Sequence, residues 1–440
     1  MITKATGERA AAHSTRRNFG YLLAGRIVAA LTNFAVLAIL ARELGSAALG
    51  ILVLLHSYSI VLKELVSFKP EEAVVKFGVA CVDSGDHHRL KQLLRRCLRL
   101  DVIAASISSF AVIALAGPAG HIAGWQSQHF DIALVFGGVL LLSGTGTGKG
   151  VLRLNGHYAE LGLATALGPL LRLLATALVV IHGGGLFNFA LAWAAGMAIE
   201  YLLINGFAWR SYRRTQPRSV ASEDVEQRSQ EFTGLRRFLW VTYWQSSLDL
   251  LPSHLPVLMI GGMLGSTDAG LFRIAWEIAQ LLAKPAMLLR SAVLPDLARL
   301  WRDADPAFIR LCLKSAALVS APAVALALVV QFAGAPLVDL ILGQGYEAMV
   351  PLLALLAMAA AVEVASATLR PAGYVSNTSD AMLWIQVGAT VVYFVAFIFL
   401  TRLTGLSGPG WAALLSRSLE GLLALWVMVI AWLNHRRRPC

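Results

Sequence analysis

Twelve apolar runs, most of them about twenty residues long, alternate with short links between residues 18 and 433. Such a chain has few ways to fold. In hydrocarbon an unpaired amide or carbonyl costs several kcal/mol, so each run must close its hydrogen bonds within itself as an α-helix. About twenty residues at 1.5 Å each cross the ~30 Å hydrocarbon core. The runs fall at about 18–41, 49–68, 101–117, 131–148, 158–181, 186–208, 238–263, 268–289, 311–333, 348–369, 381–400 and 410–433. Charged residues make up 14% of the chain and mean hydropathy is +0.66, against about 25% charged in a soluble domain. The expected fold class is all-α: a polytopic membrane protein with twelve transmembrane helices.

Charge orients it. The links on one side, counted with both termini, hold 28 Lys and Arg, whereas the opposite links hold only Arg42 and Arg402. By the positive-inside rule both termini are cytoplasmic. A net charge of +11 therefore reflects topology, and nucleic acid is not an expected partner. Within the basic connection 69–100, Leu90, Leu93, Leu94, Cys97 and Leu98 form an apolar stripe, which predicts an amphipathic helix lying on the membrane surface.

The halves repeat. Leu44-Gly45-Ser46 and Leu264-Gly265-Ser266 each precede an apolar run, and Gly50-Ile51-Leu52 matches Gly270-Leu271-Phe272 at the same offset. The offset spans six helices, so the repeat is parallel. The expected domains are a six-helix lobe over 1–209, a cytoplasmic linker over 210–237 and a second six-helix lobe over 238–440, the two lobes being pseudo-symmetric about a central cavity.

A polar seam marks that cavity. Arg273, Glu277, Gln280 and Lys284 share one face of the eighth helix. A charge at mid-membrane costs about 2.5–3.5 kcal/mol on insertion scales, so the seam must face protein or water. Arg26, Arg172 and Arg417 also lie inside spans, and Arg26 shares a face with Asn33. Buried cations of this kind would hold a phosphate or pyrophosphate, arginine by bidentate contact. The competing reading is internal pairing: Arg273 with Glu277 and Arg417 with Glu420 have helix-neighbour spacing, and Glu64, Glu200 and Glu363 are further acids. Lys63, Lys314 and Arg370, near cytoplasmic ends, are expected to snorkel outward. Trp240, Tyr243 and Trp244 read as an interfacial belt.

Other chemistry is absent from the spacing. The glycine-rich run 144–150 carries Ser143 and Gly150 where a phosphate loop needs Gly and Ser or Thr, so it is read as close helix packing. Cys81, Cys97, Cys312 and Cys440 form no C-x-x-C pair, which argues against a disulfide framework or a zinc site. No catalytic triad, carboxylate pair or metal-ligand set stands out, so no enzyme activity, metal or cofactor is expected. The first apolar run is too long for a cleaved signal.

The segments LARELGSAALGIL, SFKPEEAVVKFG and LLAKPAMLLRSAVLPDLARL, with the topology, resemble the Wzx-type polysaccharide flippases of the superfamily that includes the multidrug and toxic compound extrusion (MATE) transporters. The resemblance implies two lobes around a cationic cavity, alternating access, and transport of undecaprenyl-pyrophosphate-linked oligosaccharide across a bacterial inner membrane for polysaccharide and lipopolysaccharide biosynthesis. It makes Arg26 and Arg273 the cavity arginines; Lys284, Arg172 and Arg417 are expected as further substrate contacts because they too are cations within spans. Glu277 and Glu363 become candidate couplers to a proton or sodium ion, with membrane lipids and a glycan polymerase as partners. One alternative is a cation-coupled drug extruder, which would place acids in helices 1 and 7; helix 7 has Asp249, but helix 1 has none between Asn18 and Ala41. The other is a non-transporting scaffold for glycan assembly.

Overall fold

The structure is a computed structural model whose described residues are 2–125, 127–215, 232, 234–281, 300, 301, 307–367, 369 and 378–436. Among them there is no strand. Helix α1 covers Ile2–Val66 and changes direction at Gly45. It is followed by α2 (Pro70–Asp83), α3 (His87–Ala114), the short α4 (Ala116–Ala123), α5 (Phe130–Leu140), α6 (Gly146–Leu154), α7 (Tyr158–Ile181) and α8 (Leu186–Thr215). Then come α9 (Leu235–Leu264), α10 (266–281), α11 (Ala307–Leu342), α12 (Val350–Ala365), α13 (Ser379–Thr404) and α14 (Gly408–Arg436).

Seven helical stretches among the described residues are long and apolar enough to cross a membrane. Two of them, Gly20–Asp83 with 64 residues and Asp380–His435 with 56, far exceed the length one passage needs. Shorter apolar helices occupy Phe130–Leu140 and Ser253–Leu264. Large apolar side chains such as Ile122, Ile181, Phe332, Leu340 and Trp384 lie on the outside, as lipid-facing positions should. The chain is an all-α polytopic membrane protein.

By its contacts the chain divides into Met1–Leu44 with Ile51–Leu258, and Gly45–Gly50 with Met259–Cys440. In the first unit, Pro169 sits buried inside α7, and the helix continues through it. Trp240 and Trp244 of α9 are more than half exposed, and the Tyr243 hydroxyl between them donates to the Leu65 carbonyl at 2.8 Å.

The basic connection 69–100 differs from its expected form. It is α2 plus the first half of α3, which starts where Asp86 accepts the Arg89 amide at 2.8 Å and runs unbroken into the apolar span. Leu93 and Cys97 are fully buried against Val74, Leu152 and Ile204, with Leu90 and Leu94 packed on the same cluster. Only the far edge, Leu98, is half exposed. The stripe is real, but α2, α6 and α8 offer it protein surface, so it buries there and not in the lipid interface. Leu93→Ala should therefore cost about 2–4 kcal/mol of stability, while Leu98→Ala should cost under about 1 kcal/mol. Chemical unfolding of the detergent-solubilised protein measures both.

In the second unit the repeated glycines meet. Gly45 and Gly265 have φ of 72° and 101°, left-handed values that favour glycine. A Cβ on Gly50 would fall 1.8 Å from the Ser266 carbonyl oxygen, and one on Gly270 would fall 3.0 Å from that of Ser46. Residues matched in sequence thus contact one another reciprocally, as two-fold related segments do.

Candidate functional site

Arg172 is one of the span cations selected from the sequence, and α7 carries it into the first unit's interior, where it is 8% exposed. Glycine makes the room: a Cβ on Gly196 of α8 would lie 2.7 Å from Arg172 Cβ and 3.1 Å from its Nε. The guanidinium donates from Nη1 to Asn33 Oδ1 at 3.2 Å and stands 5.1 Å from the Trp193 ring centroid, a cation–π distance. Trp193 in turn packs on His56 at 4.9 Å, and His56 faces His254 at 6.4 Å. Arg26, seven residues before Asn33 on α1, is exposed.

A second polar group in the same unit was not assembled from the sequence. Lys63, expected to reach outward, turns inward: its side chain is 18% exposed, with Nζ 3.7 Å from Glu64 Oε1 and 5.2 Å above the Tyr201 ring. Lys69 also pairs with Glu64. Arg153 Nη1 meets Glu72 Oε1 at 3.0 Å, and its Nη2 meets Glu71 Oε1 at 3.9 Å. Lys149 of α6 and Glu200 of α8 are each within the field of the other and of Lys63. Burial pushes the Lys149 ammonium below the usual lysine range, against the pull of Glu71 and Glu200. The glycines of the 144–150 run are the signal that could have placed Lys149 inside, because they bring α6 against its neighbours. Lys314 of α11, expected to snorkel, is exposed.

That run is a packing device. A Cβ on Gly146 would lie 2.7 Å from Pro70, and one on Gly150 would lie 2.6 Å from Val74. The amide end of α6, where a phosphate would sit, is taken by the buried carboxylate of Asp101, whose Oδ2 accepts the Thr147 N–H at 2.6 Å.

In the second unit the arginines hold acids. Arg273 Nη2 lies 3.2 Å from Glu277 Oε2, both side chains being mostly buried. Gln280 is likewise half-buried, while Ile274, Ala275 and Ala279 on the other faces are fully buried. Arg417 bridges two carboxylates, Glu363 at 3.5 Å and Glu420 at 3.2 Å. Lys284, Arg370 and most of the 210–237 linker lie outside the described residues. A largely apolar cavity of about 830 Å³ lies between α11, α12 and α14, lined among others by Ser320, Leu328, Gln331, Met358, Ser407 and Trp411.

The family described as "Polysaccharide biosynthesis protein" matches residues 104–351. The inner membrane protein YghQ of Escherichia coli (strain K12) is 25% identical over 338 residues, which cover 75% of this chain and 93% of that protein. Among solved structures, an inward-facing MATE family multidrug resistance transporter of the MOP superfamily superposes with a TM-score of 0.71 at 14% identity, over 94% of this chain and 96% of its own. Lipid II flippase MurJ in an inward closed conformation gives 0.73 at 9% identity, over 93% and 88%. At such identities the likeness is one of fold.

Proposed function

The chain belongs to the polysaccharide biosynthesis protein family, whose match spans more than half of it, and from that premise we propose that it is a flippase. Its cargo in this reading is an undecaprenyl-pyrophosphate-linked oligosaccharide, carried from the cytoplasmic to the periplasmic leaflet of a bacterial inner membrane by alternating access. It crosses the membrane twelve times, with both termini cytoplasmic. The likeness to a MATE transporter and to a lipid II flippase supports the fold that such a cycle needs.

What supports the reading is the set of cations that the sequence puts inside apolar helices. A pyrophosphate cannot cross ~30 Å of hydrocarbon unaided. Buried Arg172 and exposed Arg26 are two groups in the first unit suited to an anionic head. Arg273 and Arg417 rest on Glu277 and on Glu363 with Glu420; they engage substrate by exchanging carboxylate for phosphate, which gives Glu277 and Glu363 the role of coupling to a proton or sodium ion. Lys284 extends the Arg273 face. The absence of any acid between Asn18 and Ala41 disfavours a drug-cation extruder.

The Arg26→Ala, Arg273→Ala double variant should lower surface polysaccharide at least tenfold at unchanged protein level. A scaffold would leave the polysaccharide at its normal amount, and that result would refute transport by these cations.

A further inference from the structure

We propose that Lys149, Lys63 and Arg172 form a proton-linked anion site inside the first unit, with Glu200 as the group that takes up the proton when the anion enters. The inference rests on the flippase reading and names where the diphosphate of the lipid carrier is held during its passage.

Two observations carry it. The first is that the side chains of Lys149 and Glu200, both partly buried, interact electrostatically, and yet neither side chain makes a hydrogen bond or an ion pair with any described residue. Every other cation of the group has a close companion: Lys63 and Lys69 have Glu64, Arg153 has Glu71 and Glu72, and Arg172 has Asn33 and Trp193. The polar atoms of Lys149 and Glu200 are not sealed from solvent, so opposite charges that stop short of contact here stay open to a ligand that bridges them. The second is the convergence of elements. Glu200 is packed against Gly168 of α7, whose added Cβ would meet Glu200 Cβ at 2.7 Å, and it shares its field with Lys63 from α1, Lys149 from α6 and Arg172 from α7. Among the described residues, Glu64 of α1, Lys69 of the α1–α2 link, Glu71 of α2 and Tyr201 of α8 are further charged or titratable groups of the shell, with His56 and His254 beyond Trp193 on the Arg172 side.

The chemistry is an exchange. Before the anion enters, an ionised Glu200 offsets one of the three positive charges. A phosphate entering among Lys63, Lys149 and Arg172 supplies that negative charge in greater amount, and two anions side by side in a low dielectric repel. One proton from water moves to the Glu200 carboxylate, which removes the repulsion and turns it from acceptor-only into an O–H donor to a phosphate oxygen. Anion binding and proton binding are then reciprocally linked, so binding strengthens as pH falls.

Isothermal titration calorimetry on the full-length purified protein tests this, in two buffers of different ionisation enthalpy so that protons are counted. The probes are inorganic pyrophosphate and farnesyl pyrophosphate, which separate a free anion from a lipid-borne one. Wild type should take up about one more proton per bound pyrophosphate than Glu200→Gln, with Glu200→Asp retaining the uptake; the ligand's own protons contribute equally and cancel. Lys149→Ala should bind at least tenfold more weakly, and Lys149→Arg should restore affinity. Binding of farnesyl pyrophosphate alone supports a lipid-borne ligand. Equal proton uptake in wild type and Glu200→Gln, unchanged affinity in Lys149→Ala, no binding of either probe, or binding of inorganic pyrophosphate alone would each overturn the proposal. Surface polysaccharide in cells judges the flippase reading separately.

Discussion

Gly50→Val should yield no stable protein. In the second unit the glycine faces backbone: a Cβ there would lie 1.8 Å from the Ser266 carbonyl oxygen and 2.5 Å from its carbonyl carbon. Backbone in a helix start has nowhere to go, unlike the tip of a flexible side chain. The cost exceeds the ordinary overpacking range of about 1–3 kcal/mol. The reciprocal position is looser, with Gly270 meeting Gly50 Cα and the Ser46 oxygen at 3.0 Å. Gly270→Ala should therefore weaken the protein and leave it isolable. Recovery of monodisperse protein from detergent and its unfolding temperature measure the difference; a Gly50→Val variant as stable as wild type would refute the contact.

Asp101→Ala should lower stability by about 2–4 kcal/mol. The carboxylate is buried and accepts the Thr147 N–H at the amide end of α6. Removing it leaves that donor unsatisfied and strips the helix terminus of its anion. Asp101→Asn keeps an acceptor oxygen and loses only the charge, so it should cost about 1 kcal/mol. The same contrast checks the glycine run's role: if inorganic phosphate protected Asp101→Ala and left wild type unaffected, the α6 terminus would be an anion site that Asp101 occupies.

The architecture was readable because a bilayer leaves an apolar run no alternative to a helix. The Gly45 and Gly265 repeats were also readable as text, and their positive φ values explain why glycine stands at both. Ion pairs followed the same divide between local and distant. Arg273 with Glu277 and Arg417 with Glu420 are set by helix spacing, whereas the Arg417–Glu363 pair joins α12 to α14 and no spacing announces it. An apolar stripe reports that a face will be covered without saying by what, so Leu93 and Cys97 were assigned to lipid and found in protein. Lys63 departs from expectation for a related reason. Whether a lysine near a helix end snorkels or turns inward depends on what stands beside it, here the Tyr201 ring.

The direct measurement is translocation itself. Purified protein reconstituted into liposomes with a fluorescent undecaprenyl-pyrophosphate oligosaccharide should move the label between leaflets within minutes, as read by a membrane-impermeant quencher, and the Arg26→Ala, Arg273→Ala variant should slow this at least tenfold. Label that stays in its original leaflet, as in protein-free vesicles, would contradict the account.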